Sequence, residues 1–232
     1  MKKPLESARD VASATGDVIA KTAGFFTSTF IGIGRGIFQP LSNTPSSVPR
    51  AEPGAAPGIE QYLHAEDSSA FVSVAIIDYG EGYTLRKDFD NIADAIAHPK
   101  PENPHVRWIN INGLKPSVVD TVCKQFGFHT LSAEDVIYTN QRPKLEVFED
   151  HYFVVARQIH LIGERLKNEQ ISFFLTNDTL ISFQEVEGDV FDPVRRRMEN
   201  KTGRFRLYKT DYLFYALLDS IVDHLFPLLE GY

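Results

Sequence analysis

The 232-residue chain is poor in several features that would announce an activity. One cysteine, Cys123, excludes an internal disulfide and any cysteine-built zinc cage. None of the 7 histidines stands four residues from another, so the sequence has no helical His-x-x-x-His metal pair, and neither a Gly-x-Ser-x-Gly elbow nor a His-Glu-x-x-His helix occurs. Gly32-Ile-Gly-Arg-Gly follows no strand pattern and precedes no Lys-Ser/Thr, so it does not read as a phosphate loop. Basic residues are outnumbered, 24 against 31 acidic, for a net charge of -7. Broad nucleic-acid binding is therefore not expected, because phosphate contacts need a basic face. No uninterrupted apolar run reaches the roughly 18–20 residues that span a bilayer, so no membrane span is expected. The closest stretch, Ala23 to Phe38, contains Arg35 and is broken by Gly24, Gly32, Gly34 and Gly36.

What is present is a chain with a hydrophobic fraction of 43%, enough to bury a substantial core. Residues 1–66 read as a flexible tail and linker, since Pro45, Pro49, Pro53 and Pro57 sit among Ser and Ala. Beyond them the periodicities sharpen. Phe71 to Ile77 reads as a buried strand closed by a turn over Asp78 to Gly82, and Asp88 to Ala97 as a short helix ending before Pro99. Val106 to Ile111 is a second strand. Lys115 to Phe126 is a helix opened by Pro116 and closed by Gly127, and Thr130 to Tyr138 is another. Two hairpins follow, Lys144–Phe148 with Tyr152–Leu161 and Gln170–Leu175 with Thr179–Gln184. A helix over Val190 to Asn200 carries Pro193 in its first turn, and Lys209 to Glu230 reads as one long helix of roughly 33 Å. Helices bracketing a run of hairpins predict an α/β or α+β domain with a mixed sheet.

The side chains that could carry chemistry are carboxylates. Glu134 and Asp135 are adjacent on a short helix, and Asp219 and Asp223 lie four apart on one face of the terminal helix. Carboxylates at that spacing repel by a few tenths of a kcal/mol, which a hard cation would relieve. A solvated acidic stripe has the same spacing. Arg195-Arg-Arg with Lys201, Arg204, Arg206 and Lys209 reads as a solvated helix face with its positive charge near a C-terminus. Cys123 falls on the apolar side of its helix and reads as core filler.

Five ordered strings resemble one family. They are Trp108-Ile-Asn-Ile-Asn-Gly, Phe126-Gly-Phe-His-Thr-Leu-Ser-Ala-Glu-Asp-Val, Asn140-Gln-Arg-Pro-Lys-Leu-Glu, Gly188-Asp-Val-Phe-Asp-Pro-Val-Arg-Arg-Arg and Asp211-Tyr-Leu-Phe-Tyr-Ala-Leu-Leu-Asp-Ser-Ile-Val-Asp. From about Phe71 to Tyr232 the chain is similar to the N-terminal domain of CorA-type magnesium and cobalt transporters. The resemblance implies an α/β/α sandwich with a mixed parallel and antiparallel sheet, over residues 67–208. It also implies a long C-terminal helix, over residues 209–232, that leads toward a membrane part. It implies a homopentamer in the cell membrane with this portion on the cytoplasmic side, and divalent ions, magnesium above all and cobalt as an alternative, bound between neighbouring subunits to gate transport. Glu134, Asp135, Asp219 and Asp223 match the family's interfacial ligands. The family's two membrane helices and its Gly-Met-Asn signature are not in this sequence, so this chain alone is expected not to conduct ions. His224 stands in a stretch that the family often keeps acidic, and a zinc-transporting sister branch shares the fold. Two other classes compete: a metal-dependent hydrolase using Glu134, Asp135 and Asp219 with His129 as base, and a scaffold without ion sensing. No catalytic role is expected.

Overall fold

The computed structural model describes residues 58–63, 71–102, 106–162, 165–200, 205 and 208–230. The strands are β1 (Ser73–Gly80), β2 (Tyr83–Phe89), β3 (Val106–Asn112), β4 (Lys144–Val147), β5 (Tyr152–Ile162), β6 (Arg165–Leu175) and β7 (Thr179–Gln184). The helices are α1 (Glu60–Leu63), α2 (Ile92–Ala97), α3 (Pro116–Phe126), α4 (Thr130–Ile137), α5 (Asp192–Glu199), α6 (Thr210–Asp223) and α7 (Leu225–Glu230).

The strands form a 7-stranded sheet in the order β2-β1-β3-β7-β6-β5-β4. Neighbours pair antiparallel except β3 with β7, which run parallel. The sheet is thus mixed, and it is covered on both faces. On the first face Val74, Ile76, Ile109, Phe153, Phe174 and Phe183 meet apolar residues of α1 to α4. On the second face Ile77, Trp108, Phe173 and Leu180 meet α5 and α6. The central strands β3 and β7 are buried on both sides, their β-branched and aromatic residues interrupted by the buried polar side chains Arg107, Asn110, Ser182 and Gln184. The result is the α/β/α sandwich.

Helix boundaries follow local chemistry. Pro116 opens α3, and Gly127 closes it in the left-handed region at φ 72, its N–H bonded to the Cys123 carbonyl. Cys123 is core, and burial pushes its thiol up to about 12.

Four local expectations are corrected. β1 does not turn at Asp78: it runs to Gly80, and Asp78 is buried in the strand because Arg107, directly opposite on β3, holds it at 2.7 Å. Arg107 also donates to the carbonyls of His98 and Pro99, so both buried charges are satisfied. Asp88 and Phe89 close the edge strand β2 and do not begin a helix; α2 starts at Ile92 behind Asn91, whose side chain accepts the Asp94 N–H. The terminal helix is interrupted at His224 between α6 and α7. Pro227, four residues beyond Asp223, supplies no N–H for that carbonyl and its ring crowds it. Finally, packing begins before residue 67: Gly58 to Leu63 lie against α3 and α4, with Ile59 and Tyr62 buried in the core. The rest of the expected tail, residues 1–57 and 64–66, lies outside the described residues.

The helical run Thr210–Glu230, 21 residues with mean hydropathy 1.3 in its most apolar window, is long and apolar enough to cross a membrane. The criterion of an uninterrupted apolar run passed over it. In α6 the apolar content serves the core, since Leu213, Phe214, Ala216, Leu217, Leu218 and Ile221 are buried against the sheet. None of α7 is buried.

Candidate metal centre

Helix α4 is capped at its N-terminus and packed on the core. His129 caps it, its Nδ1 accepting the Leu131 N–H at 3.1 Å, and Ala133, Val136 and Ile137 are buried. Beneath it Phe128 stacks on Phe174 with centroids 4.3 Å apart. This rigid seat presents Glu134 and Asp135 half-buried at the sheet's first face.

Neither carboxylate is idle. Oε2 of Glu134 accepts the Gly58 N–H at 3.0 Å. Oδ2 of Asp135 accepts from Lys144 Nζ at 2.5 Å, and the same ammonium reaches Oε1 of Glu146 at 2.7 Å. Lys144 and Glu146 alternate along β4 and so share a face of that strand. Burial raises the Asp135 carboxyl above its ordinary value, and Lys144 offsets this only in part. For Lys144, burial alone would favour the neutral amine, but hydrogen bonds to Asp135 and Glu146 outweigh it and lift the group above its usual value. The site already holds a tethered ammonium.

Asp219 and Asp223 lie on α6, on the opposite side of the sheet from α4. The helix is anchored beside them by Ser220, whose Oγ donates to the Val190 carbonyl at 2.5 Å. Asp219 is half-buried and Asp223 exposed, and among the described residues neither carboxylate has a hydrogen bond or ion pair. Burial, then repulsion from Asp223, raises the Asp219 carboxyl, with Arg197 opposing. One copy of the chain thus separates the two predicted pairs across the sheet. Among the described residues no group of three or more His, Cys, Asp or Glu side chains is placed to hold a metal ion. The hydrolase constellation is not assembled within one copy either, since Asp219 is across the sheet and the His129 Nδ1 is used as a cap.

Three features escaped sequence reasoning. Lys144 lies in the family-like stretch Asn140-Gln-Arg-Pro-Lys-Leu-Glu, and its spacing two residues from Glu146 on a strand was a usable signal. The Gly58 contact had none. His224 approaches His160 with ring centroids 5.7 Å apart, and His160 Nε2 lies 3.2 Å from the buried Glu169. Burial, and secondarily His160, lowers the His224 pKa. The basic run is only partly solvated: Arg195 lies over Trp108 and binds Asp189, Nη1 to Oδ1 at 2.6 Å.

The sandwich with a mixed sheet matches solved structures in fold. The soluble domain of CorA from Methanocaldococcus jannaschii matches with TM-score 0.51 and 17% identity, over 68% of this chain and 59% of that one. The ZntB cytoplasmic domain from Vibrio parahaemolyticus matches with TM-score 0.53 and 13% identity, over 69% and 62%. At such identities these likenesses speak for the fold alone. Family membership comes from sequence: the model of the "CorA-like Mg2+ transporter protein" family matches residues 103–231, more than half of the chain, and the chain belongs to that family. The cobalt/magnesium transport protein CorA of Thermotoga maritima is 44% identical over 126 residues, 53% of this chain and 36% of that protein. The putative metal ion transporter YfjQ of Bacillus subtilis is 28% identical over 131 residues, 55% and 40%. The chain thus spans less than half the length of these curated relatives.

Proposed function

We propose that this chain is the ion-sensing portion of a divalent-cation transporter, binding magnesium, or cobalt in its place, between copies. Glu134 and Asp135 of one copy would face Asp219 and Asp223 of the next. The observation that carries this reading is the placement of the two pairs on opposite sides of one sheet, where each is an incomplete ligand set. A contact joining unlike surfaces is heterologous and closes into a ring when the rotation permits, which suits the pentamer expected from the resemblance. Magnesium usually takes one or two carboxylates and keeps several waters, so a split site with few protein oxygens meets its coordination. The run Thr210–Glu230 would lead toward the membrane, with the sandwich on the cytoplasmic side.

Because the ligands come from two copies, ion binding and association are linked by mass action. Sedimentation at micromolar concentration should find mostly monomer without metal and larger species as magnesium is added. The double variant Asp135→Ala, Asp219→Ala should lose that response. Equal magnesium-dependent association in both proteins would refute the assignment of these carboxylates.

A further inference from the structure

We propose that Lys144 is the specificity-determining residue of the α4 half of this site, an internal cation that a divalent ion displaces and a monovalent ion does not. The inference rests on the reading of Asp135 as a ligand and adds how that ligand is controlled. Lys144 Nζ contacts Oδ2 of Asp135 at 2.5 Å and Oε1 of Glu146 at 2.7 Å, so the ammonium already sits where an ion would approach Asp135. Magnesium binds oxygen at about 2.0–2.1 Å. An ion that close to Oδ2 would crowd the ammonium and repel it, so both cannot share the oxygen.

The fold gives Lys144 somewhere to go. Glu146 lies two residues along the same strand face and is already bonded to the ammonium, so breaking the Asp135 contact leaves Lys144 paired. The Phe153 ring, its centroid 5.5 Å from Nζ, lines the path of the side chain. Lys144 therefore has a resting state on both carboxylates and a displaced state on Glu146 alone. Exchanging one single positive charge for another gains no Coulomb energy at Asp135, whereas a double charge does. Potassium and sodium should be excluded on that ground, and the divalent ion should bind less tightly than bare carboxylates would allow. No described basic residue makes such a contact with Asp219 or Asp223, so this control belongs to one half of the site.

The test uses the 232-residue chain. Magnesium-dependent association is followed by sedimentation for wild type, Lys144→Met, Lys144→Arg and Asp135→Ala. Thermal unfolding without metal checks that each is folded. Methionine keeps the apolar stem beside Phe153 and removes the charge; Lys144→Gln serves as the second neutral variant should methionine unfold the domain. Loss of a competing ion pair should lower the magnesium midpoint of the neutral variant about fivefold. Its unfolding temperature should also rise more with magnesium than that of wild type. Replacing tetramethylammonium by potassium at constant ionic strength should weaken magnesium binding in the neutral variant and leave wild type unchanged. Lys144→Arg should bind magnesium no more tightly than wild type. An unchanged or higher midpoint in folded Lys144→Met, with the response still abolished in Asp135→Ala, would overturn the role of Lys144 and spare the site. An unaltered response in Asp135→Ala would remove the site itself, and the proposal with it.

Discussion

The carboxylate pairs on α4 and α6 differ in how the fold treats them. On α4, Glu134 is bonded by a backbone N–H and Asp135 by an ammonium, so each carboxylate has a partner before any ion arrives. On α6, Asp219 and Asp223 repel each other along one helix face, with the field of Arg197 opposing at Asp219. The first pair is partnered as it stands and must give something up to bind a cation. Among the described residues the second has no such partner, and it only gains from a cation. A divalent ion between copies would therefore relieve strain on the α6 side while competing with Lys144 on the α4 side. This asymmetry makes the pairs experimentally separable.

Asp189 supplies the reference for a carboxylate whose partner wins outright. Burial alone would raise it, but Arg195 and the Phe191 N–H hold it below the ordinary carboxylate range. A group with a depressed folded pKa contributes stability that is fully present above its unfolded pKa near 3.8 and is lost as pH falls through the folded value. Asp189→Asn should cost about 3 kcal/mol at neutral pH, because Arg195 is left half-buried with only exposed Asp192 as a partner. Denaturant titrations of both proteins should show that gap close as pH drops below the ordinary carboxylate range.

A smaller effect separates the two pairs directly. Without metal, Asp135→Ala should destabilise the domain by about 1 kcal/mol, the size of a partly exposed ion pair, since Lys144 retains Glu146. Smaller still, and of opposite sign, Asp219→Ala should stabilise by a few tenths of a kcal/mol, because it removes a like-charge pair and adds a good helix former. Equal destabilisation by both substitutions would erase the contrast between the partnered pair and the mutually repelling one.

Much of the fold was legible where backbone chemistry punctuates the chain. Pro116, Gly127 and Pro193 marked helix ends that the structure keeps within a residue or two. The edge strand β2 was not legible, since Tyr83-Thr-Leu-Arg-Lys-Asp-Phe is largely solvated and Lys87 breaks the alternation of Tyr83, Leu85 and Phe89. Asp78 looked like a turn residue because its partner, Arg107, is distant in sequence and adjacent only through strand register. The break at His224 was legible in principle from Pro227, which an apolar count passes over. The carboxylates were found through residue type and family resemblance, whereas Lys144 was missed because tertiary pairing, not spacing to α4, brings it to Asp135. The packing of Ile59 and Tyr62 shows the same limit: two apolar residues after a proline-rich stretch carry little signal until α3 and α4 give them a surface.

The most direct test of a metal site shared between copies is a mixing experiment. Asp135→Ala and Asp219→Ala are each titrated with magnesium alone and then as an equimolar mixture, with mass read by sedimentation. Each single variant lacks one half of every contact and should stay monomeric. The mixture can form one intact contact, between the α4 pair of the Asp219→Ala copy and the α6 pair of the Asp135→Ala copy. It should therefore yield magnesium-dependent dimers and nothing larger. A mixture that remains monomeric while wild type associates, or single variants that associate as wild type does, would contradict ion binding between these two carboxylate pairs.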